Sequence, residues 1–187
     1  MPFKFTPKEI ADVILIEPKA FSDDRGYFFE NYKKSDFLNN GIEYDFVQDN
    51  TSFSDGNVIR GLHFQAPPYD QGKLVRTING KILDVAVDVR KGSPTYGKWV
   101  SEVLSGEDMK MLWIPPGFAH GFLTLTESLV HYKVTGEYNK ESEGGLLWND
   151  PELGIPSPSK DVQLSPKDEE WPTISELKSP FIYKRGR

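Results

Sequence analysis

The chain contains three histidines, His63, His120 and His131, and no cysteine, so imidazole is the one side-chain type with an ordinary pKa near neutrality. His63 lies in Arg60-Gly61-Leu62-His63-Phe64-Gln65, and His120 in Ile114-Pro115-Pro116-Gly117-Phe118-Ala119-His120-Gly121-Phe122. A lone histidine is more often a satisfied core or surface group than a catalyst. His63 is not alone, because Arg60 and Lys73 fall on neighbouring expected strands. A general base flanked by two cations suits an anionic substrate or a developing oxyanion. The lack of cysteine excludes a disulfide framework, a thiolate nucleophile, an iron–sulfur cluster and a zinc ribbon.

Short β-favouring runs recur between turn signals over residues 13–16, 27–32, 58–65, 73–78, 81–89, 98–104, 111–114, 121–126 and 129–135. Nine short strands of this kind predict a mainly β sandwich or barrel. Asn79-Gly80 separates KLVRTI from KILDVAVDV and predicts a two-residue type I′ hairpin, which needs positive φ at both positions. In the second of these strands Leu83, Val85, Val87 and Val89 alternate with Asp84, Ala86 and Asp88, the pattern of a half-buried strand. Helical signals are few. Residues 33–39 could form two turns before Asn39-Asn40-Gly41. Ser165-Pro166-Lys167-Asp168-Glu169-Glu170 reads as an N-cap, a proline at the first helical position and an acidic first turn. Residues 149–166 are proline-rich and aperiodic, an expected extended excursion over the surface.

Lys and Arg number 22 against 28 for Asp and Glu, a net charge of −6. That balance argues against a nucleic-acid or anionic-membrane partner. A 37% hydrophobic and 13% aromatic content supplies enough apolar surface to oppose chain entropy, which excludes global disorder. No apolar run approaches the roughly 18 residues of a membrane span. Charges at Lys4, Lys8, Glu9, Asp12 and Glu17 interrupt the first segment, so no secretion signal is read and a cytoplasmic protein is expected.

The Pro116-Gly117 pair, with His120 three residues on at the start of an expected strand, resembles the second sequence motif of the cupin barrels. That resemblance implies a jelly roll, a double-sheet barrel whose mouth can hold a ligand. Many cupins bind a metal through two histidines spaced by one residue, a nearby glutamate and the histidine of the second motif. Gln65 stands two residues after His63, so the second histidine is missing. A set of two histidines and one carboxylate stays open as an alternative.

The segments DDRGYFFE (23–30), FVQDNTSFS (46–54), VIRGLHFQ (58–65), KLVRTINGKILDVAVDVRKGSPTYGKW (73–99), IPPGFAHGF (114–122), HYKVTGEYN (131–139), ESEGGLLWNDP (141–151) and LSPKD (164–168) together resemble the dTDP-4-dehydrorhamnose 3,5-epimerases. They do so in order over about residues 10–175. The resemblance implies a single jelly-roll domain over 1–187, with its core at about 10–148 and a C-terminal excursion at 149–187 whose short helix packs near the site. It implies a homodimeric isomerase of dTDP-rhamnose biosynthesis, without metal or cofactor. Its substrate would be a dTDP-linked 4-keto-6-deoxyhexose, inverted at C3 and C5.

Matched position by position, the resemblance implies His63 as base, Asp168 as the group holding its ring, Lys73 as the enolate's cation and Tyr132 as the acid on the opposite face. Arg25, Phe28 and Glu30 would reach the nucleotide from the partner subunit. Gln48, Asn50 and Arg60 would surround the nucleotide and diphosphate, His120 would face the sugar, and Tyr138, Glu143 and Lys167 would lie near the mouth. Taken singly, several have plainer readings: Asp168 could be the acidic member of a capping box begun by Ser165, and Tyr132 a core tyrosine.

Arg60 and His63 are three apart, which places them on opposite faces of a regular strand. Both can reach one cavity only through a bulge or twist, expected at Gly61. Thr51, Phe53 and Gly72 depart from the residues more common in the family. Competing expectations are a single-carbon epimerase or keto-isomerase on a related nucleotide sugar, a metal-dependent cupin enzyme, and a non-catalytic nucleotide-sugar binding module.

Overall fold

The computed structural model describes residues 2–157 and 161–184. Two antiparallel sheets face each other in a jelly roll. The first runs in the order β1 (Phe3–Pro7), β2 (Ile14–Pro18), β10 (Met111–Ile114), β7 (Lys73–Asn79), β12 (Ser128–Val134) and β5 (Gln48–Ser54). The second runs β13 (Glu143–Gly145), β6 (Ile59–Gln65), β11 (Phe118–Thr124), β8 (Lys81–Asp88) and β9 (Trp99–Ser105). A separate ribbon pairs β3 (Phe21–Asp23) with β4 (Gly26–Phe28), and one short helix, α1, spans Lys34–Leu38. No helix is long and apolar enough to cross a membrane among the described residues.

Apolar residues form three layers. The space between the sheets is filled at one end by Val75, Ile82, Ala86, Leu112, Phe118, Phe122 and Val130. The outer face of the first sheet packs Ile16, Leu74 and Trp113 against Phe37 of α1 and Ile42. The outer face of the second packs Val85, Val87, Val89 and Leu123 against Trp148, Leu153, Ile155, Ile174 and Phe181.

The last layer corrects the half-buried reading of β8. Leu83, Val85 and Val87 meet the C-terminal strap, residues 149–157 and 161–184, while Asp84, Ala86 and Asp88, each 0% exposed, point into the barrel. Both faces are covered, so alternation here separates two interiors and not core from water.

Asn79-Gly80 is not the hairpin turn expected. β7 pairs with β10 and β12, and β8 with β9 and β11, so the turn is a corner between sheets. Only Gly80 has positive φ, +83°, and a Cβ there would fall on the Glu127 carbonyl oxygen. The expected helix from Ser165 is also absent. Asp168 N bonds Ser165 O at 2.9 Å and Glu170 N bonds Lys167 O at 3.2 Å, giving two successive turns. Trp171 precedes Pro172, and a pre-proline residue is disfavoured in the helical region, which stops propagation.

The strap is tied on throughout its described length. Gln163 exchanges backbone bonds with Asn57 and Ile59, each 2.8 Å. Trp99 Nε1 donates to Leu153 O at 2.8 Å, Lys91 N donates to Phe181 O at 3.0 Å, and Tyr183 N donates to Lys91 O at 2.9 Å.

Candidate active site

β6 carries the distortion expected at Gly61. Against β11, His63 pairs with His120 and Arg60 with Phe122, a register shift that turns both His63 and Arg60 toward the barrel interior. Gly61 has φ +120°, and a Cβ there would lie 2.6 Å from Gly121 Cα. Glycine is required on both strands for this close approach.

The resulting cleft has two lobes. One, of about 420 Å³, is bounded by Arg60, Phe122 and Ser52 and by Gln163, Ser165, Lys167 and Asp168 of the strap. The other, of about 340 Å³, is bounded by Gln48, Asn50, Gln65, Tyr138 and Glu143. His63, Lys73 and Tyr132 line both lobes, and His120 lines the first. Eleven of the residues singled out by sequence reasoning, with Asp168, Lys167 and Glu143 among them, thus meet around one space.

His63 Nε2 lies 2.5 Å from Asp168 Oδ1. Asp168 is 4% exposed. Burial raises its carboxyl pKa, but bonds to His63, Ser165 and Trp171 outweigh that and hold it below the ordinary carboxylate range. Its role is therefore more than a cap, although Ser165 Oγ does accept from Asp168 N at 3.2 Å.

Lys73 opens β7 and its Nζ bonds the carbonyl of His63 at 3.3 Å. Burial brings its pKa down to about 8, opposed by the Asp84 and Glu143 carboxylates. It is still mostly protonated at neutral pH. Tyr132, on β12 between Val75 and Asn50, has its phenol pKa pushed up by burial with partial relief from Arg60. It stays neutral and able to donate. His63 and Tyr132 belong to different sheets, so base-type and acid-type groups face the cavity from opposite walls with an ammonium beside them.

A second imidazole–carboxylate pair sits deeper. His120 Nε2 is 2.7 Å from Asp84 Oδ1, and burial lowers the His120 pKa despite the Asp84 charge. At the mouth, Glu143 Oε2 accepts from Tyr138 Oη at 2.8 Å and meets Lys167 Nζ at 2.5 Å. Gln48 Nε2 donates to Asn50 Oδ1 at 2.8 Å, and Arg60 Nε to Ser54 Oγ at 2.8 Å.

Arg25, Phe28 and Glu30 are not brought to this cleft within the chain. Phe28 is 67% exposed on the β3–β4 ribbon, and Arg25 Nη2 bonds its neighbour Asp23 at 2.6 Å. Sequence reasoning missed Asp84, Ser52, Phe122, Ser165 and Trp171. Asp84 carried a signal as a carboxylate alternating with β8's apolar face, and Ser165 one only as a cap. Among the described residues no three His, Asp or Glu side chains converge as a metal site.

Comparison with known proteins is consistent across the chain. The profile of the family described as dTDP-4-dehydrorhamnose 3,5-epimerase matches residues 7–176. A protein of that name from Sinorhizobium fredii is 50% identical over 182 residues, covering 96% of this chain and 93% of its own length. The crystal structure of dTDP-6-deoxy-D-glucose-3,5-epimerase from Legionella pneumophila, in complex with dTDP-4-keto-L-rhamnose, superposes with a TM-score of 0.94 at 42% identity, covering 97% of this chain and 99% of that one. ChmJ, a 3′-monoepimerase from Streptomyces bikiniensis in complex with dTDP-quinovose, is similar at TM-score 0.84 and 32% identity over 90% of this chain and 87% of its own.

Proposed function

The chain belongs to the dTDP-4-dehydrorhamnose 3,5-epimerase family, and from that premise we propose that it inverts C3 and C5 of dTDP-4-dehydro-6-deoxyglucose, in dTDP-rhamnose biosynthesis, with His63 as base and Tyr132 as acid. Both carbons flank the C4 ketone, so loss of either proton gives an enolate with its charge on the C4 oxygen. Inversion needs proton removal on one face and return on the other.

The observation that carries this reading is the placement of His63 and Tyr132 on facing sheets of one cleft, with Lys73 between the lobes. Asp168 fixes the His63 ring and stabilises the imidazolium that forms. Lys73 places positive charge where the C4 oxyanion develops. Tyr132 returns a proton from the other wall; before the second carbon is processed the imidazolium gives its proton to solvent and the Tyr132 phenolate, whose pKa burial raises, takes one back.

His120 faces the sugar in this reading. Arg60 and Lys167 contact the diphosphate, where a guanidinium matches paired phosphate oxygens. Gln48, Asn50, Tyr138 and Glu143 frame the nucleotide lobe. The β3–β4 ribbon exposes Phe21, Tyr27 and Phe28 at 52%, 60% and 67%, which supports a homodimer in which Arg25, Phe28 and Glu30 complete the partner's nucleotide site.

The test is proton NMR of dTDP-4-dehydro-6-deoxyglucose with EDTA-treated protein in D₂O. Deuterium at both C3 and C5, with formation of dTDP-4-dehydrorhamnose, is the expected result. Deuterium at one carbon alone would replace the proposal with single-carbon epimerisation, and activity lost on chelation would replace it with a metal-dependent reaction.

A further inference from the structure

We infer that Trp171 is a positioning residue for the His63–Asp168 pair, its indole N–H holding the same carboxylate oxygen that His63 binds. The inference rests on His63 acting as the base. Asp168 belongs to neither sheet nor helix; it sits on a turn of the strap. Its Oδ1 is 2.5 Å from His63 Nε2, and Trp171 Nε1 donates to that oxygen at 3.3 Å. Ser165 also bonds the carboxylate, but from the same turn. A second donor on the oxygen that His63 binds narrows the carboxylate's swing and fixes the direction from which the ring is held.

The indole is itself held by the barrel. A Cβ at Gly145 of β13 would fall 2.7 Å from the indole's fused-ring carbons, so bare backbone forms the wall on which the ring rests. Immediately after it, Pro172 O accepts from Leu147 N at 3.0 Å, pinning the stem. The ring meets His63 edge-on, with centroids 6.0 Å apart and planes at 71°, and Lys167 Nζ lies 5.5 Å over it. A rigid path therefore runs from β13 through Trp171 to a carboxylate that the turn alone could not orient. The same ring covers one flank of the pair.

Trp171→Phe keeps a ring of similar shape and removes the donor. Steady-state kinetics of the wild type, Trp171→Phe, Asp168→Ala and the double variant test the inference as a thermodynamic cycle. Trp171→Phe is expected to lower kcat by about tenfold with KM within about twofold, and to have no further effect once Asp168→Ala is present. Wild-type kcat in Trp171→Phe would overturn the inference. So would a full tenfold loss persisting in the Asp168→Ala background, which marks a general packing effect. Undiminished activity in Asp168→Ala itself would instead refute the proposed pairing with His63. If Trp171→Phe does not fold, ¹⁵N-tryptophan spectra decide: one of the four indole N–H signals must shift between the wild type and Asp168→Ala, and four unmoved signals overturn the inference.

Discussion

His63 Nε2 and Asp168 Oδ1 are 2.5 Å apart although 105 positions separate the two residues. The histidine comes from β6 and the carboxylate from the C-terminal strap, so docking of the strap on the second sheet assembles the pair. His63→Ala and Asp168→Asn should each lower turnover by roughly 10²–10⁴-fold with the far-UV spectrum and substrate affinity retained. Near-wild-type turnover in either variant removes that residue from the mechanism.

The role proposed for Lys73 predicts an alkaline limb. With a folded pKa of about 8, the ammonium assigned to the enolate is lost as pH rises through that value, and kcat/KM should drop there. Stability moves the other way. The unfolded lysine titrates near 10.4, so between about 8 and 10.4 the unfolded chain binds more protons and folding stability rises with pH. Below both values the burial penalty is fully present. Lys73→Met should therefore abolish activity while raising stability at pH 7 by roughly 1–3 kcal/mol, measured by urea titration.

Asp84 acts on the same group from beneath. Its charge partly sustains the Lys73 proton, and its Oδ2 is buried without a hydrogen-bond partner. Asp84→Asn should move the alkaline limb of the kcat/KM profile to lower pH. An unmoved limb would mean that Asp84 serves His120 alone.

Gly61 sets the register that brings Arg60 and His63 to one cavity. Gly61→Ala places a methyl 2.6 Å from Gly121 Cα and asks an L residue to hold φ +120°. A loss of at least about 1–3 kcal/mol is expected from the backbone alone, read by chemical denaturation. A variant of undiminished stability would show that the two strands can separate there.

The legible parts of this fold were the β-favouring runs between turn signals, which mark β6, β7, β8, β9, β10 and β12; the alternation in β8 was legible, but what covers its second face was not. β5 could not be read in this way, because its inward residues Gln48, Asn50, Ser52 and Ser54 face a polar cleft and its outward residues Asp49, Thr51 and Phe53 face away; neither face carries the apolar period. Gly61 was legible as a necessity, since Arg60 and His63 could share a site only through a distortion. The Asn79-Gly80 corner was misread because a local turn signal does not say whether the flanking strands pair. The role of Asp84 was hidden by the assumption that an acidic face meets solvent. Trp171 stands only three positions after Asp168, but no residue pattern there says that its indole turns back onto that carboxylate.

The two-walled arrangement of His63 and Tyr132 is tested most directly by Tyr132→Phe in D₂O, with deuterium uptake at C3 and C5 and formation of epimerised product followed in the same sample. If His63 removes the proton and Tyr132 returns it from the other face, product formation collapses while exchange into recovered substrate persists. An equal fall in exchange and in product would contradict the division of roles.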